Sequence, residues 1–116
     1  MNDFSFEKLE VYHRALDFAN KIYVITRGWP REFLFDLTSQ IRRASLSVAL
    51  NIAEGSSRKT TDFKHFLTMA RGSCFEIIPI LEIAYQQKLL TDKEKEKLYN
   101  DVVSLAKMLS KLKSSL

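Results

Sequence analysis

The sequence has one cysteine, two prolines and three glycines among 116 residues, and each scarcity removes a class of protein. Cys74 alone cannot close an internal disulfide, so a stapled secreted module is excluded and a reducing cytoplasm is the expected setting. So few glycines and prolines cannot supply the turns of a β-sandwich or barrel. There is no run of about 18 apolar residues, so no segment is built to span a bilayer. The opening Met-Asn-Asp-Phe-Ser-Phe-Glu carries neither the basic start nor the apolar stretch of a secretory signal. The three glycines stand far apart, so no glycine-rich loop can cradle a phosphate.

What is present describes a folded domain. Hydrophobic residues make up 46% and charged residues 28%, a globular balance and not a disordered one. The length suits one domain, burying roughly two-thirds of its unfolded surface. The net charge is +4, and it is unevenly placed. Residues 40–71 hold Arg42, Arg43, Arg58, Lys59, Lys64 and Arg71 against Glu54 and Asp62. That surplus of four equals the charge of the whole chain, which suggests an acidic partner for the middle third.

Apolar periodicity predicts four helices, over about 6–27, 32–54, 61–88 and 92–114. In the first, Leu9, Tyr12, Leu16, Ala19 and Tyr23 form one row and Val11, Ala15, Phe18, Ile22 and Ile25 a second, with Gly28-Trp29-Pro30 as its stop. The second carries Leu34, Leu37, Ile41, Ala44, Val48 and Ile52, with Gly55 as its expected C-cap. Thr60 or Thr61 should cap the third, whose stripe runs from Phe63 through Cys74 to Ala84, with Pro79 expected to kink it. Thr91-x-x-Glu94 reads as a capping box opening the fourth. The short connections make successive helices antiparallel neighbours, so the fold class is all-α, an up-down-up-down four-helix bundle.

Metal and catalytic chemistry find little support. Glu10-x-x-His13 and Asp62-x-x-His65, with Glu54, echo the di-iron pattern of bundles, but these pairs lie off the apolar stripes and the fourth helix offers no carboxylate beyond Asp101 to complete the set. Cys74 falls on a core stripe, as a small hydrophobe does. No nucleophile has a base at local spacing, so no metal, no cofactor and no enzymatic activity are expected. The second helix bears a polar ridge, Gln40, Arg43, Ser47, Asn51 and Glu54, within an ~80° arc beside its stripe. It is either a solvated flank or a hydrogen-bonded seam between helices or subunits. Gly72 sits in a helix interior at a cost of ~1 kcal/mol, which close approach of a neighbouring backbone would explain. The doubled face of the first helix, with Met69, Ile80 and Ile83 on the third, is more apolar surface than a lone bundle should expose, so self-association is expected.

Several blocks are recognisable: Phe6-Glu7-Lys8-Leu9-Glu10-Val11, Gln40-Ile41-Arg42-Arg43-Ala44, Asn51-Ile52-Ala53-Glu54-Gly55, and Ala70-Arg71-Gly72-Ser73 with Glu76. Their order resembles the four-helix-bundle proteins encoded within intervening sequences of bacterial 23S ribosomal RNA genes. The resemblance implies antiparallel bundles assembled into ring-shaped homopentamers. It also implies kinship with the accessory variability determinants of diversity-generating retroelements, basic proteins that work with a reverse transcriptase and nucleic acid. It supplies no catalytic residues. Arg71, Ser73 and Glu76 join Gln40, Arg43, Asn51 and Glu54 as candidates for a polar seam or interface.

Two functions of different class follow. One is a nucleic-acid-associated homo-oligomer that touches structured RNA, or DNA, through phosphate contacts. In an up-down-up-down bundle Arg58, Lys59, Lys64, Lys111 and Lys113 gather at one end, where the start of the third helix adds free N–H groups. That patch reads as poor in aromatic residues, so little base preference is expected. The other is a protein-interaction scaffold whose charge is incidental, the basic residues serving only their helix ends.

Overall fold

The structure, a computed structural model, describes residues 3–116. Helices α1 (Glu10–Thr26), α2 (Ser39–Ser56), α3 (Thr60–Gln86) and α4 (Asp92–Ser115) form an all-helical bundle. The molecule is 42 Å in its longest dimension, about the ~40 Å that 27 residues of α3 span at 1.5 Å each. Cross-helix partners show the antiparallel course directly. Arg43 meets Glu76 and Ser47 meets Ser73, so advance along α2 is retreat along α3. Glu82 with Lys95 and Thr68 with Lys113 do the same for α3 and α4.

The apolar stripes converge as periodicity requires. Phe18 and Ile22 of α1, Ile41, Val48 and Ile52 of α2, Leu67, Cys74, Ile77 and Leu81 of α3, and Leu98, Val102, Leu105 and Leu109 of α4 are all buried. Among the described residues, no helix is long and apolar enough to cross a membrane.

The first two helices depart from their expected bounds. Residues 6–27 do not form one helix: Ser5–Lys8 is a 3-10 turn, Leu9 is extended at φ −85° and ψ 124°, and α1 starts at Glu10. Local partners hold that break. The Glu7 carboxylate accepts the Phe4 N–H at 3.0 Å, the His13 ring donates to the Glu7 carbonyl at 2.6 Å, and Phe6 packs edge-on against Tyr12. Before α2, Arg31–Phe33 is a 3-10 turn and Leu34–Thr38 a π-helical turn. The Asp36 carboxylate accepts the Leu37 N–H there, the kind of side-chain competition that perturbs a helical ladder.

Neither Gly55 nor Gly72 takes the role expected of it. Gly55 is no C-cap: α2 continues to Ser56, and Gly55 is buried inside it. A Cβ at Gly55 would lie 2.6 Å from the Phe66 Cβ and 3.0 Å from a Phe63 ring carbon. Only hydrogen fits where α2 and α3 approach this closely. Gly72 has no atom within 4 Å of its missing Cβ, so the neighbouring backbone expected there is absent from this chain. Gly28 does not adopt positive φ either; α1 ends on backbone turns at Gly28 and Trp29, with Pro30 barring further helix.

At the start of α3 the cap position is Lys59, without a side-chain cap, and Thr60 is already helical. The helix runs through Pro79 without interruption. It stops where Lys88 turns to φ 64° and the Leu89 N–H reaches back to the Ala84 carbonyl at 2.9 Å, the closing bond of a Schellman motif. The Thr91–Glu94 capping box forms in both directions.

The apolar surplus is also placed differently. The second row of α1 faces the core, while Leu9, Tyr12, Leu16 and Tyr23 of the first are half-buried and Ala19 is buried. On α1 only Val24 is a well-exposed large apolar residue; the others are Phe4, Phe35, Leu46 and Leu50, Met69, Phe75 and Ile83 of α3, Tyr99 and Leu116.

Candidate nucleic-acid interface

The seven residues proposed for a polar seam divide into four groups. Arg43, Ser73 and Glu76 reach between α2 and α3: the Ser73 hydroxyl donates to Ser47 at 2.9 Å, and Arg43 lies 3.7 Å from Glu76. Gln40 and Asn51 act within α2, Gln40 accepting from Arg43 at 2.6 Å and Asn51 donating to the Ser47 carbonyl at 2.9 Å and hydroxyl at 3.0 Å. Glu54 turns to the chain end of α2 and pairs with Arg58. Arg71 is not in the seam at all. It points to the α4 side, with its guanidinium carbon 4.6 Å above the Phe75 ring.

Two residues of the di-iron pattern are engaged by neighbours. Glu10 pairs with Arg14 at 3.6 Å and His13 is held by the Glu7 carbonyl. Among the described residues no three His, Cys, Asp or Glu side chains converge. Cys74 is fully buried, and burial pushes its thiol up to about 11 despite the nearby Arg71, so it is a poor nucleophile.

The five basic residues expected at one end have different immediate surroundings. Arg58 is engaged: it pairs with Glu54, which raises its pKa, and stacks at 5.4 Å over Phe66 on the α2–α3 side. Lys59 is exposed at the head of α3 and Lys111 is exposed on α4. Lys64 and Lys113 do come together. They face each other across a groove of about 410 Å³ between α3 and α4, with Arg71 and Thr68, and Lys113 donates to the Thr68 hydroxyl at 2.8 Å.

A second depression of about 380 Å³ continues this groove along the same helix pair, sharing Arg71 and Ser110 and adding Lys107. No carboxylate lines either part. Among the described residues Lys64, Arg71, Lys107 and Lys113 make no ion pair within 4.0 Å, unlike Arg14, Lys21, Arg43, Arg58 and Lys95. The other grooves each carry carboxylates. The α1–α4 groove sets Asp17 and Asp101 against Arg14 and Lys21, with Lys21 and Asp101 3.0 Å apart, and the α2–α3 groove holds Asp36 and Glu76. Among these grooves, the one between α3 and α4 is lined by cations without a carboxylate.

Sequence reasoning missed Arg71 and Lys107 as members of this groove. A signal existed: Lys64, Thr68, Arg71, Phe75 and Ile78 follow three-and-four spacing one step to the side of the α3 core stripe. It is easily passed over, because Lys107 lies far in sequence from the helix 2–helix 3 junction where the basic residues cluster.

The chain matches the family model described as 23S rRNA-intervening sequence protein over residues 7–111. Among solved structures it is similar to a protein with unknown function from the S23 ribosomal protein family of Bacteroides thetaiotaomicron. That likeness has 25% sequence identity and a TM-score of 0.83, covering 90% of this chain and 95% of the other. No curated protein matches the chain.

Proposed function

The chain belongs to the 23S rRNA-intervening sequence protein family, and from that premise we propose that it is a non-enzymatic homo-oligomer that associates with structured RNA through the basic end of its α3–α4 face. The observation that carries this reading is the set of four unpaired cations, Lys64, Arg71, Lys107 and Lys113, lining one groove without a carboxylate. Cations held without a carboxylate partner are available to phosphate oxygens, and release of condensed counterions drives such binding. Arg58 and Lys59 contribute at most from the rim. The buried, protonated Cys74 and the absence of converging ligands among the described residues favour binding over catalysis.

Self-association is supported by large apolar side chains left in water: Leu50 and Ile83 are 64% and 47% exposed. A second copy packed on them would bury both; a ring of five is the assembly that the family resemblance implied. Repetition around a ring would turn one weak groove into useful avidity.

The test is RNA affinity between about 50 and 200 mM salt for the native chain and for Lys64→Ala/Arg71→Ala/Lys113→Ala. Phosphate binding gives a steep slope that becomes shallower by roughly 0.7–0.9 for each phosphate no longer neutralised. An unchanged slope and affinity in the triple variant rejects this groove. Light scattering should give a multiple of 13.5 kDa, and a stable monomer rejects the oligomer.

A further inference from the structure

The basic end patch was expected to be poor in stacking groups, but the depression that continues from it between α3 and α4 is not. Its α3 wall carries Phe75, 56% exposed, and its α4 wall carries Tyr99, 46% exposed. Both rings line the same depression as Ile78 and Val103, beside Arg71 and Lys107. Large aromatic rings left half in water on two facing helices are costly to solvate, and the apolar floor between them is open. Arg71 already lies over Phe75 at 4.6 Å, so a planar cation and an aromatic ring form one platform at the junction between the apolar depression and the lysine-lined one.

We propose that the α3–α4 groove is a binding track for single-stranded nucleic acid, in which bases stack on Phe75 and Tyr99 while Lys64, Arg71, Lys107 and Lys113 hold the phosphates. The proposal rests on the nucleic-acid reading above and narrows it from structured RNA in general to an unpaired segment. Three physical points carry it. First, the lining combines cations with no carboxylate, so its charge complements a phosphate backbone and not a mixed-charge protein surface. Second, interleaved aromatic and basic side chains are what unpaired strands need, since every base has a π-face and duplex stacking hides it. Third, the size fits. From Tyr99 to Lys113 α4 advances about 21 Å at 1.5 Å per residue, room for about six nucleotides at the 3.4 Å spacing of a stacked strand. At the far end of α3 the charges turn inward: Glu82 is bound by Lys95 at 2.5 Å and Asp92 by the Tyr85 hydroxyl. The track therefore has a basic end and a neutral one, so a bound strand lies with its best-held phosphates toward the start of α3.

Full-length protein should be titrated with a fluorescein-labelled single-stranded RNA of about 12 nucleotides and with an RNA duplex of about 12 base pairs, at several salt concentrations. The native chain is expected to prefer the single strand. Phe75→Leu/Tyr99→Leu, which replaces two half-exposed rings by helix-forming apolar residues, should weaken single-strand binding by about 5- to 100-fold per ring removed, with the salt slope unchanged. Phe75→Tyr/Tyr99→Phe should restore it, and circular dichroism checks that each variant keeps its helices. Ultraviolet cross-linking of a 5-bromouridine strand, read by mass spectrometry, should mark peptides containing Phe75 or Tyr99. Single-strand affinity unchanged in the leucine variant overturns the stacking track while the nucleic-acid reading stands. Preference for the duplex overturns it too. No binding of either RNA at about 50 mM salt overturns both.

Discussion

Alanine at position 55 and alanine at position 72 should move stability in opposite directions, although both replace a glycine inside a helix. Helix propensity alone favours each change by about 0.5–1 kcal/mol. At position 55 the new methyl would sit 2.6 Å from the Phe66 Cβ and 3.0 Å from the Phe63 ring, against the ~3.5–4.0 Å of ordinary carbon contact. The Phe66 Cβ is fixed to the α3 backbone, so rotation of a side chain cannot relieve the clash and the two helices must part. Overpacking of this kind costs about 1–3 kcal/mol. After the propensity gain is subtracted, Gly55→Ala should destabilise by about 1–2 kcal/mol, while Gly72→Ala, meeting nothing in its own chain, should gain up to ~1 kcal/mol. Urea unfolding followed by helical circular dichroism, at matched protein concentrations, reads both numbers. Each kcal/mol also corresponds to roughly 4 °C in Tm for a domain near this size. A Gly55→Ala protein as stable as the native chain would refute the close α2–α3 approach. A destabilised Gly72→Ala would place something from outside the chain against that methyl.

Two further outcomes test the interior and the helix ends. Cys74, held up to about 11 from an ordinary 9.0 by burial, should react with a thiol reagent at pH 8 at least ~100-fold more slowly in the native protein than in guanidinium. Because the folded value is the raised one, its contribution to stability is complete below about pH 9 and fades as pH climbs through about 11, by about 2–3 kcal/mol at most; labelling of the native protein at the unfolded rate would contradict this. Thr91→Ala removes the hydroxyl that accepts the Glu94 N–H at 3.1 Å. It should cost about 1 kcal/mol, with Thr91→Ser recovering most of it in thermal melts.

The bundle was legible because four apolar stripes, three short connections and one capping box agreed with one another. Glu94 answering Thr91 needs only local geometry, which a sequence displays. Gly55 was misread for the opposite reason: a glycine before Ser-Ser looks like a helix stop, and only the position of Phe66 on another helix shows why hydrogen is required. The irregular turns at Leu9 and at Leu34–Thr38 hid similarly, since helical periodicity does not register a change of pitch. In the candidate site, bundle topology already brings Lys64 and Lys113 to one end, and both line one groove. Arg71 was assigned to the wrong face because its neighbours Ser73 and Glu76 in the same motif do meet α2, and two residues along a helix is a turn of about 200°.

The bundle is also unequal around its circumference. Gly55 lets α2 lie almost backbone to side chain against α3, whereas α1 and α4 touch along the sparsest of the helix boundaries, crossed by the half-exposed pair of Lys21 and Asp101. A barrel whose staves are so unevenly joined has a preferred place to split. Local opening releases the most water-accessible and least packed boundary first, so α1 is the stave that swings while α2, α3 and α4 stay together as one plank. The α3–α4 groove lies wholly within that plank. Whatever occupies it is therefore insulated from the breathing of the N-terminal helix, and the same seam offers a route by which the molecule could accept a fifth helix without disturbing its basic face.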